Sequence, residues 1–190
     1  MKQTVTQKKA KYHHTKANVS IYNHLEEDGF YYQLVEGVLH MAPSPFTLHQ
    51  RISSRLNDLI TGFLKIHPLG ELFYAPLDVE LNDLNIFQPD LFFVSNNHLE
   101  IITEKRVVGA PDLIIEILSK STKKLDLTTK YTVYEQSGVL EYWIVDPDEK
   151  RFSFYQSKDH KYYEVAVQDS YASQILKPLH FKPFEFWKQV

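Results

Sequence analysis

The chain has 190 residues, of which 43% are hydrophobic, 24% charged and 14% aromatic, and this composition excludes disordered and fibrous classes. It contains no cysteine, so disulfides, thiolate metal sites and a catalytic thiol are excluded, and a cytoplasmic location is expected. The net charge is −3, but residues 1–16 hold five lysines and no acid. Residues 17–190 therefore have 16 basic and 24 acidic residues and a net charge of −8. That balance excludes a surface that is basic throughout. No apolar run approaches the ~20 residues that a membrane span needs, so we expect no membrane partner.

The first 20 residues are predicted to form a flexible basic arm ahead of a single domain over residues 21–190. Residues 1–20 carry few large apolar side chains and no periodic pattern. We expect His13 and His14 in this arm to be solvent-exposed rather than bound to a metal. Residues 31–35 and 38–41 lie on either side of Glu36-Gly37, and this two-residue connection predicts that the domain opens with a β-hairpin.

A long helix is predicted next, followed by three strands. Ser44-Pro45 marks the helix start, because serine is a favoured cap and proline is favoured at the first helical position. Extended segments are predicted at 72–74, 77–81 and 86–94, and residues 95–110 are predicted to form a loop. The helix is supported by an apolar stripe at helical spacing: Leu48, Ile52, Leu56, Leu59, Ile60 and Phe63.

The second half of the chain contains the most strongly predicted strand. Residues 112–118 are almost continuously aliphatic, which is typical of a strand covered on both faces, so we expect it at the centre of the sheet. A helix is predicted from Ser119–Thr122 to about Gln136, ended by Gly138, and residues 140–145 are predicted to form another buried strand. A hairpin at 152–155 and 162–167 follows. The aromatic tail, 181–187, is expected to cap the core or to serve as an interface.

Two acidic residues lie where the local pattern favours hydrocarbon. Asp90 shares a strand face with Phe92 and Val94, and Glu116 lies within the central strand. An unpaired buried carboxylate costs several kcal/mol, so each requires a cation, hydrogen bonds or protonation. Taken singly, Asp90 fits a strand-start residue that bonds nearby backbone, and Glu116 fits a structural ion pair with a lysine.

Lys130 is a basic residue inside an apolar helical stripe, which is formed by Leu127, Tyr131 and Tyr134. If this helix runs back along the preceding strand, Lys130 lies ~13 Å along the helix and Glu116 ~10 Å along the strand, so their heights match. The alternative is that Lys130 extends its ammonium to water over the two tyrosines.

Two carboxylates with a nearby ammonium predict a metal-dependent phosphodiesterase. Mg²⁺ is usually held by one or two carboxylates, with water and substrate phosphate completing its shell. The lysine is suited to stabilising the negative charge that develops on the phosphate.

These residues also carry a family resemblance. Gln88-Pro89-Asp90 leads into an apolar strand, residues 110–119 read Ala-Pro-Asp-Leu-Ile-Ile-Glu-Ile-Leu-Ser, and residues 141–147 read Glu-Tyr-Trp-Ile-Val-Asp-Pro. With this composite the chain resembles the Uma-type restriction endonuclease family of the PD-(D/E)XK nuclease superfamily, from about Phe30 to Trp187. The resemblance implies a restriction-endonuclease-like α/β fold, with a mixed central sheet flanked by helices.

The resemblance also implies roles for individual residues. Asp90 and Glu116 become metal carboxylates for Mg²⁺ or Mn²⁺, Glu36 an N-terminal acid that reaches the metal, and His49 a phosphate contact. From sequence alone Glu36 is a turn residue, and His49, beside the apolar stripe of its helix, is a packing or hydrogen-bonding residue. The superfamily's usual lysine position, two residues after the glutamate, is Leu118 here, so the catalytic lysine is predicted on the next helix as Lys130. Three lysines near the start of that helix are candidates for backbone phosphate contacts: Lys120, Lys123 and Lys124.

The sequence therefore predicts a metal-dependent endonuclease that hydrolyses DNA phosphodiester bonds. Two alternatives stay open. Leu118 and the acidic balance favour a catalytically inactive nuclease-fold module that binds DNA or another partner, and the chemistry alone also allows hydrolysis of another phosphate ester. A homodimer is compatible with the resemblance, because superfamily members that cut both strands often dimerise.

Overall fold

The computed structural model describes residues 9–190, and the elements of this part of the chain form three sheets with helices around them. The α-helices are α1 (Val19–Tyr22), α2 (Thr47–Ile66), α3 (Lys123–Leu125), α4 (Tyr131–Ser137) and α5 (Pro183–Trp187). The strands of the first half are β1 (Tyr32–Val35), β2 (Val38–Met41), β3 (Gly70–Tyr74), β4 (Val79–Asn82), β5 (Asn85–Phe87), β6 (Leu91–Ser95) and β7 (Val107–Val108). Those of the second half are β8 (Leu113–Ile117), β9 (Glu141–Asp146), β10 (Arg151–Lys158), β11 (Lys161–Glu164), β12 (Tyr171–Ala172) and β13 (His180–Phe181).

The larger sheet has six strands in the order β11-β10-β9-β8-β6-β3. Strand β8 lies near its centre, antiparallel to β6 and parallel to β9, and all five of its residues are buried. This confirms the central strand that the aliphatic run predicted. The parallel pair requires the chain between β8 and β9 to cross over the sheet, and α3 and α4 make that crossover.

Helices cover both faces of the six-stranded sheet, which confirms the predicted α/β class. Alternate residues of β8 point to opposite faces. Leu113, Ile115 and Ile117 pack with the buried stripe of α2, whereas Ile114 packs with Val133 and Tyr134 of α4. Glu116 points to the α4 side, because its side chain bonds to residues of that crossover helix.

Strands β1 and β2 form the predicted hairpin and belong to a second sheet with the order β2-β1-β5-β4-β7. The single strand predicted over 86–94 was wrong. It is divided into β5, in the second sheet, and β6, in the six-stranded sheet, with Gln88-Pro89-Asp90 between them. Proline lacks the amide that a central ladder requires, so pairing stops at Pro89 and the chain changes sheets.

Helix α2 begins two residues later than predicted. Its N-terminal cap is Phe46, whose side chain provides no capping hydrogen bond, and neither Ser44 nor Pro45 is helical. Ile52, Leu56 and Ile60 are fully buried, whereas Leu48, predicted on the same stripe, is exposed. Residues 42–46 therefore form an irregular connection from β2 rather than a helical turn.

The crossover helix is irregular at its middle. Residues Asp126–Lys130, between α3 and α4, form a π-helical turn, and Gly138 ends α4 in the left-handed conformation with φ of 94°. The end at Gly138 was predicted. The apolar stripe was partly wrong, because Leu127 is 41% exposed while Asp126 and Lys130 are buried. A π-helical turn adds a residue to one turn and so changes which side chains face the sheet.

Both ends of the described chain pack against the domain. At the C-terminus, Phe181 and Phe186 are buried in the cluster that contains the α2 stripe. At the N-terminus, residues 14–17 run beside β2, with the amide of Leu39 donating to the Thr15 carbonyl at 2.8 Å. The predicted arm over 1–20 thus includes residues fixed by backbone hydrogen bonds, and residues 1–8 lie outside the described part of the chain.

Candidate active site

Asp90 is held at the junction of the two sheets. Its Oδ2 accepts the Ile117 amide at 2.7 Å and approaches His49 Nε2 at 3.1 Å. The first contact ties the start of β6 to the end of β8, and Ile117 is the residue next to Glu116. The break in the predicted strand therefore gives Asp90 its position beside the second carboxylate.

Glu116 and Lys130 form a buried ion pair. Glu116 Oε1 accepts hydrogen bonds from Lys130 Nζ at 2.8 Å and from the Tyr134 hydroxyl at 2.7 Å. Both side chains of the pair are 3% exposed. The height match between helix and strand that the sequence predicted is confirmed, and Lys130 does not extend to water.

Asp126 is the second partner of Lys130. Its Oδ1 lies 3.1 Å from Lys130 Nζ, and the residue is 1% exposed. This oxygen has no hydrogen bond of good geometry among the described residues, so the contact is an ion pair alone. The π-helical turn contains both residues, and such turns occur frequently at functional sites.

Burial and crowding of acids control the charge at this site. Burial raises the pKa of the Glu116 carboxyl to about 8; the Lys130 ammonium opposes the rise, and the carboxylates of Asp126 and Asp90 add to it. Burial lowers the pKa of His49, but its bond to Asp90 outweighs this, so the pKa lies above its usual value. Burial and the charge of Glu116 raise the pKa of Tyr134, which keeps its hydroxyl protonated as a donor.

Except for Tyr134, these side chains border one cavity of about 470 Å³. Among residues 9–190, Lys130 is the one lysine or arginine on its wall, against three carboxyl groups. Within residues 9–190, no hydrogen bond reaches Oδ1 of Asp90 or Oε2 of Glu116. The charged and hydroxyl side chains on the wall that are suited to metal or phosphate chemistry are His49, Asp90, Glu116, Asp126, Lys130, Ser119, Ser121 and Thr122.

The donor set suits a hard divalent cation. Acidic groups exceed basic groups in a mostly buried site, and two carboxylate oxygens have no hydrogen-bond partner in the described part of the chain. Mg²⁺ and Mn²⁺ prefer carboxylate oxygen and retain several waters, for which the cavity has room. Asp90 and Glu116 are therefore the residues that fit a metal, with Asp126 as a third acid nearby.

Of the other predicted site residues, one borders the cavity and the rest do not. His49 lies on the cavity wall against Asp90. Glu36 is exposed in the turn between β1 and β2, and it is Gln33, three residues earlier on β1, that borders the cavity.

None of the three lysines borders this cavity. Lys123 Nζ lies 2.8 Å from Asp146 Oδ2, so its positive charge is paired with that carboxylate rather than with the cavity. Lys120 and Lys124 are exposed near the loop that contributes Ser119 and Ser121 to the wall.

Sequence reasoning missed Asp126. One signal for it was present, since an acid four residues before a lysine on a helix is a common ion-pair spacing. Asp126, Lys130 and Tyr134 follow each other at intervals of four, which defines the buried stripe better than Leu127 does. The hydroxyls of the Ser119–Thr122 loop were also missed, because they served only as helix caps in the prediction.

Within residues 9–190, no helix combines the length and the apolar character that crossing a bilayer requires.

Comparison with solved structures supports the fold. A crystal structure titled as a putative nuclease belonging to DUF820, from Anabaena variabilis ATCC 29413, matches with a TM-score of 0.75 and 20% sequence identity. The match covers 90% of this chain and 98% of that one. No match is found among curated proteins. Residues 19–182 match the Uma2 family, whose description is "Putative restriction endonuclease", and the chain therefore belongs to that family.

Proposed function

We propose that the protein is a Mg²⁺- or Mn²⁺-dependent endonuclease that hydrolyses phosphodiester bonds in DNA. One observation carries the proposal: three carboxyl groups and one lysine converge on a single cavity in which acidic groups outnumber basic groups. Membership of a restriction endonuclease family supports the same reaction class. Asp90 and Glu116 are the proposed metal carboxylates and Lys130 the proposed catalytic lysine.

A divalent ion at Asp90 and Glu116 would supply an activated water and neutralise charge on the substrate phosphate. His49 and the Ile117 amide hold Oδ2 of Asp90, so Oδ1 is the oxygen that would bind the metal. Tyr134 and Lys130 hold Glu116 in the same way through Oε1. Lys130 also carries positive charge on the cavity wall, where it offsets negative charge that develops on the phosphate.

Substrate contacts outside the metal centre follow from the loop after β8. Ser119, Ser121 and Thr122 border the cavity and have hydroxyls that donate to phosphate oxygens. Lys120 and Lys124 are exposed beside them and are suited to phosphates farther along the strand. With few cations near the site, few counterions are released on binding, so we expect DNA binding there to be weak and only shallowly salt-dependent.

The proposal is tested by DNA cleavage with chelator-treated protein to which Mg²⁺ or Mn²⁺ is returned. Wild type is expected to cleave only with metal, and Asp90→Asn to lose roughly 10²–10³-fold in rate, because several kcal/mol of charge stabilisation are lost. Asp58→Asn, an exposed acid on α2, is the control. If neither metal gives cleavage of DNA and calorimetry detects no Mn²⁺ binding, the endonuclease assignment is wrong. Metal-independent DNA binding would then support the non-catalytic module.

The mouth of the cavity carries exposed aromatic rings, which gives a second prediction. Tyr31 and Phe46 border the cavity and are 63% and 73% exposed. Such rings stack on unpaired bases, at about 1–3 kcal/mol per base. Phe46→Ala is therefore expected to weaken single-stranded DNA binding roughly 5- to 150-fold, measured by fluorescence anisotropy without divalent metal. Ile66→Ala, at the far end of α2 and 76% exposed, is the matched control, and equal losses in both variants would contradict the stacking role.

A further inference from the structure

Three histidines meet on the surface, away from the candidate active site. Ligand nitrogens of His13, His14 and His40 all lie within 4.8 Å of one another. The rings of His13 and His14 stack at a centroid distance of 3.8 Å, and that of His40 lies 5.4 Å from His14. None of the three borders the cavity that contains Glu116.

The backbone directs two consecutive side chains to the same place. In an extended strand, neighbouring residues point to opposite sides. Here His14 has φ of 65°, a left-handed conformation that is uncommon for a residue other than glycine, and its ring stacks on that of His13. The unusual backbone is what allows both rings to face His40 on β2.

Hydrogen bonds fix the position of the N-terminal segment along β2. The His14 amide donates to the Leu39 carbonyl at 2.7 Å, and the Leu39 amide donates to the Thr15 carbonyl at 2.8 Å. The ligand set is thus formed by folding, although His40 is 26 residues from His14 in the sequence. Preorganised ligands reduce the ordering cost of binding an ion.

The donors select the kind of ion. Imidazole nitrogen suits Zn²⁺, Ni²⁺ and Cu²⁺, whereas Mg²⁺ and Ca²⁺ prefer oxygen. Three histidines with an open fourth position are a recurring zinc arrangement. Burial, and then the neighbouring rings of His14 and His13, lower the pKa of His40, which keeps it in the neutral form that a metal needs.

One existing contact opposes metal binding. His13 Nδ1 accepts the Met41 amide at 3.1 Å, so the proton of the neutral ring lies on Nε2. A metal at either nitrogen requires His13 to release this amide. The site is exposed, so water takes the place of the lost acceptor, and the loss is that of one ordinary hydrogen bond.

We propose that His13, His14 and His40 bind a Zn²⁺-type transition-metal ion, separate from the candidate active site, and that this ion fastens the N-terminal segment to the edge of β2. The proposal concerns a site outside the nuclease chemistry and does not depend on it.

Isothermal titration of the full, metal-stripped chain with ZnCl₂ tests the site, with Co²⁺ as a coloured probe of nitrogen ligation. We expect wild type to have a zinc site that depends on these histidines. Its affinity should fall at least tenfold, with loss of the Co²⁺ band, in His40→Ala and His14→Ala. His180→Ala, an exposed histidine on β13, and Glu116→Gln should bind as wild type does.

Hydrogen exchange gives an independent readout, because Zn²⁺ should slow exchange of the Leu39 and His14 amides in wild type but not in His40→Ala. Circular dichroism verifies that each variant is folded. Unchanged zinc affinity in His40→Ala, or zinc binding that is lost only in Glu116→Gln, overturns the proposal.

Discussion

Lys130→Met is expected to lower the free energy of unfolding by roughly 3–5 kcal/mol at pH 8. Lys130 Nζ lies 2.8 Å from Glu116 and 3.1 Å from Asp126, and all three side chains are almost fully buried. Methionine retains the apolar stem but leaves two acids facing each other without a cation. Removing one partner of a buried pair costs more than the pair contributes, because the remaining charge stays out of water.

Urea denaturation of purified protein measures this effect. Lys124→Met is the matched control, since Lys124 is exposed in the same crossover helix and its replacement should change stability by no more than about 0.5 kcal/mol. The double variant Lys130→Met/Glu116→Gln should regain about half of the loss, because it removes one of the two unpaired acids. A loss in Lys130→Met no larger than that in Lys124→Met would show that the buried pair contributes nothing to folding.

The second large effect is on the pH dependence of stability. Folding raises the pKa of the Glu116 carboxyl from its usual 4.5 to about 8, chiefly through burial. Between these values the unfolded chain has released the proton and the folded protein retains it. Stability contributed by this group is therefore present below pH 4.5, falls as the pH rises toward 8, and is constant above it.

Glu116→Gln has no carboxyl to titrate and should lack this decline. The free energy of unfolding of the variant minus that of wild type is expected to rise by on the order of a few kcal/mol between pH 5 and pH 8. Urea midpoints measured across that interval give the difference, and Glu149→Gln, an exposed glutamate, serves as control. Parallel curves for Glu116→Gln and wild type would mean that Glu116 is ionised in the fold throughout.

The sequence predicted the parts of the fold that depend on local pattern. The aliphatic run over 112–118 indicated β8. The proximity of Lys130 to Glu116 could also be predicted, because backbone geometry fixes the rise per residue of strands and helices. Pro89 was visible as well, but a continuous apolar pattern on both sides of it favoured one strand. Only the tertiary arrangement places β5 and β6 in different sheets.

Other features depend on information that no local pattern carries. The π-helical turn at Asp126–Lys130 contains both buried charged groups, whereas helical periodicity assumes a regular helix. The histidine cluster combines His13 and His14 with a residue from β2, so it exists only after the N-terminal segment has paired with that strand. Neither the sequence around His13 nor that around His40 indicates by itself that the two segments pair.

The mutual dependence of Glu116, Lys130 and Asp126 also constrains how this fold changes over evolutionary time. Each of the three is needed to balance the buried charge of the others, so a lineage that replaces one is under selection to replace its partners as well. Asp90 is different, because it lies at a junction between sheets and its side chain is 18% exposed. A descendant that has abandoned hydrolysis is therefore expected to lose Asp90 first and to retain the buried trio long afterwards.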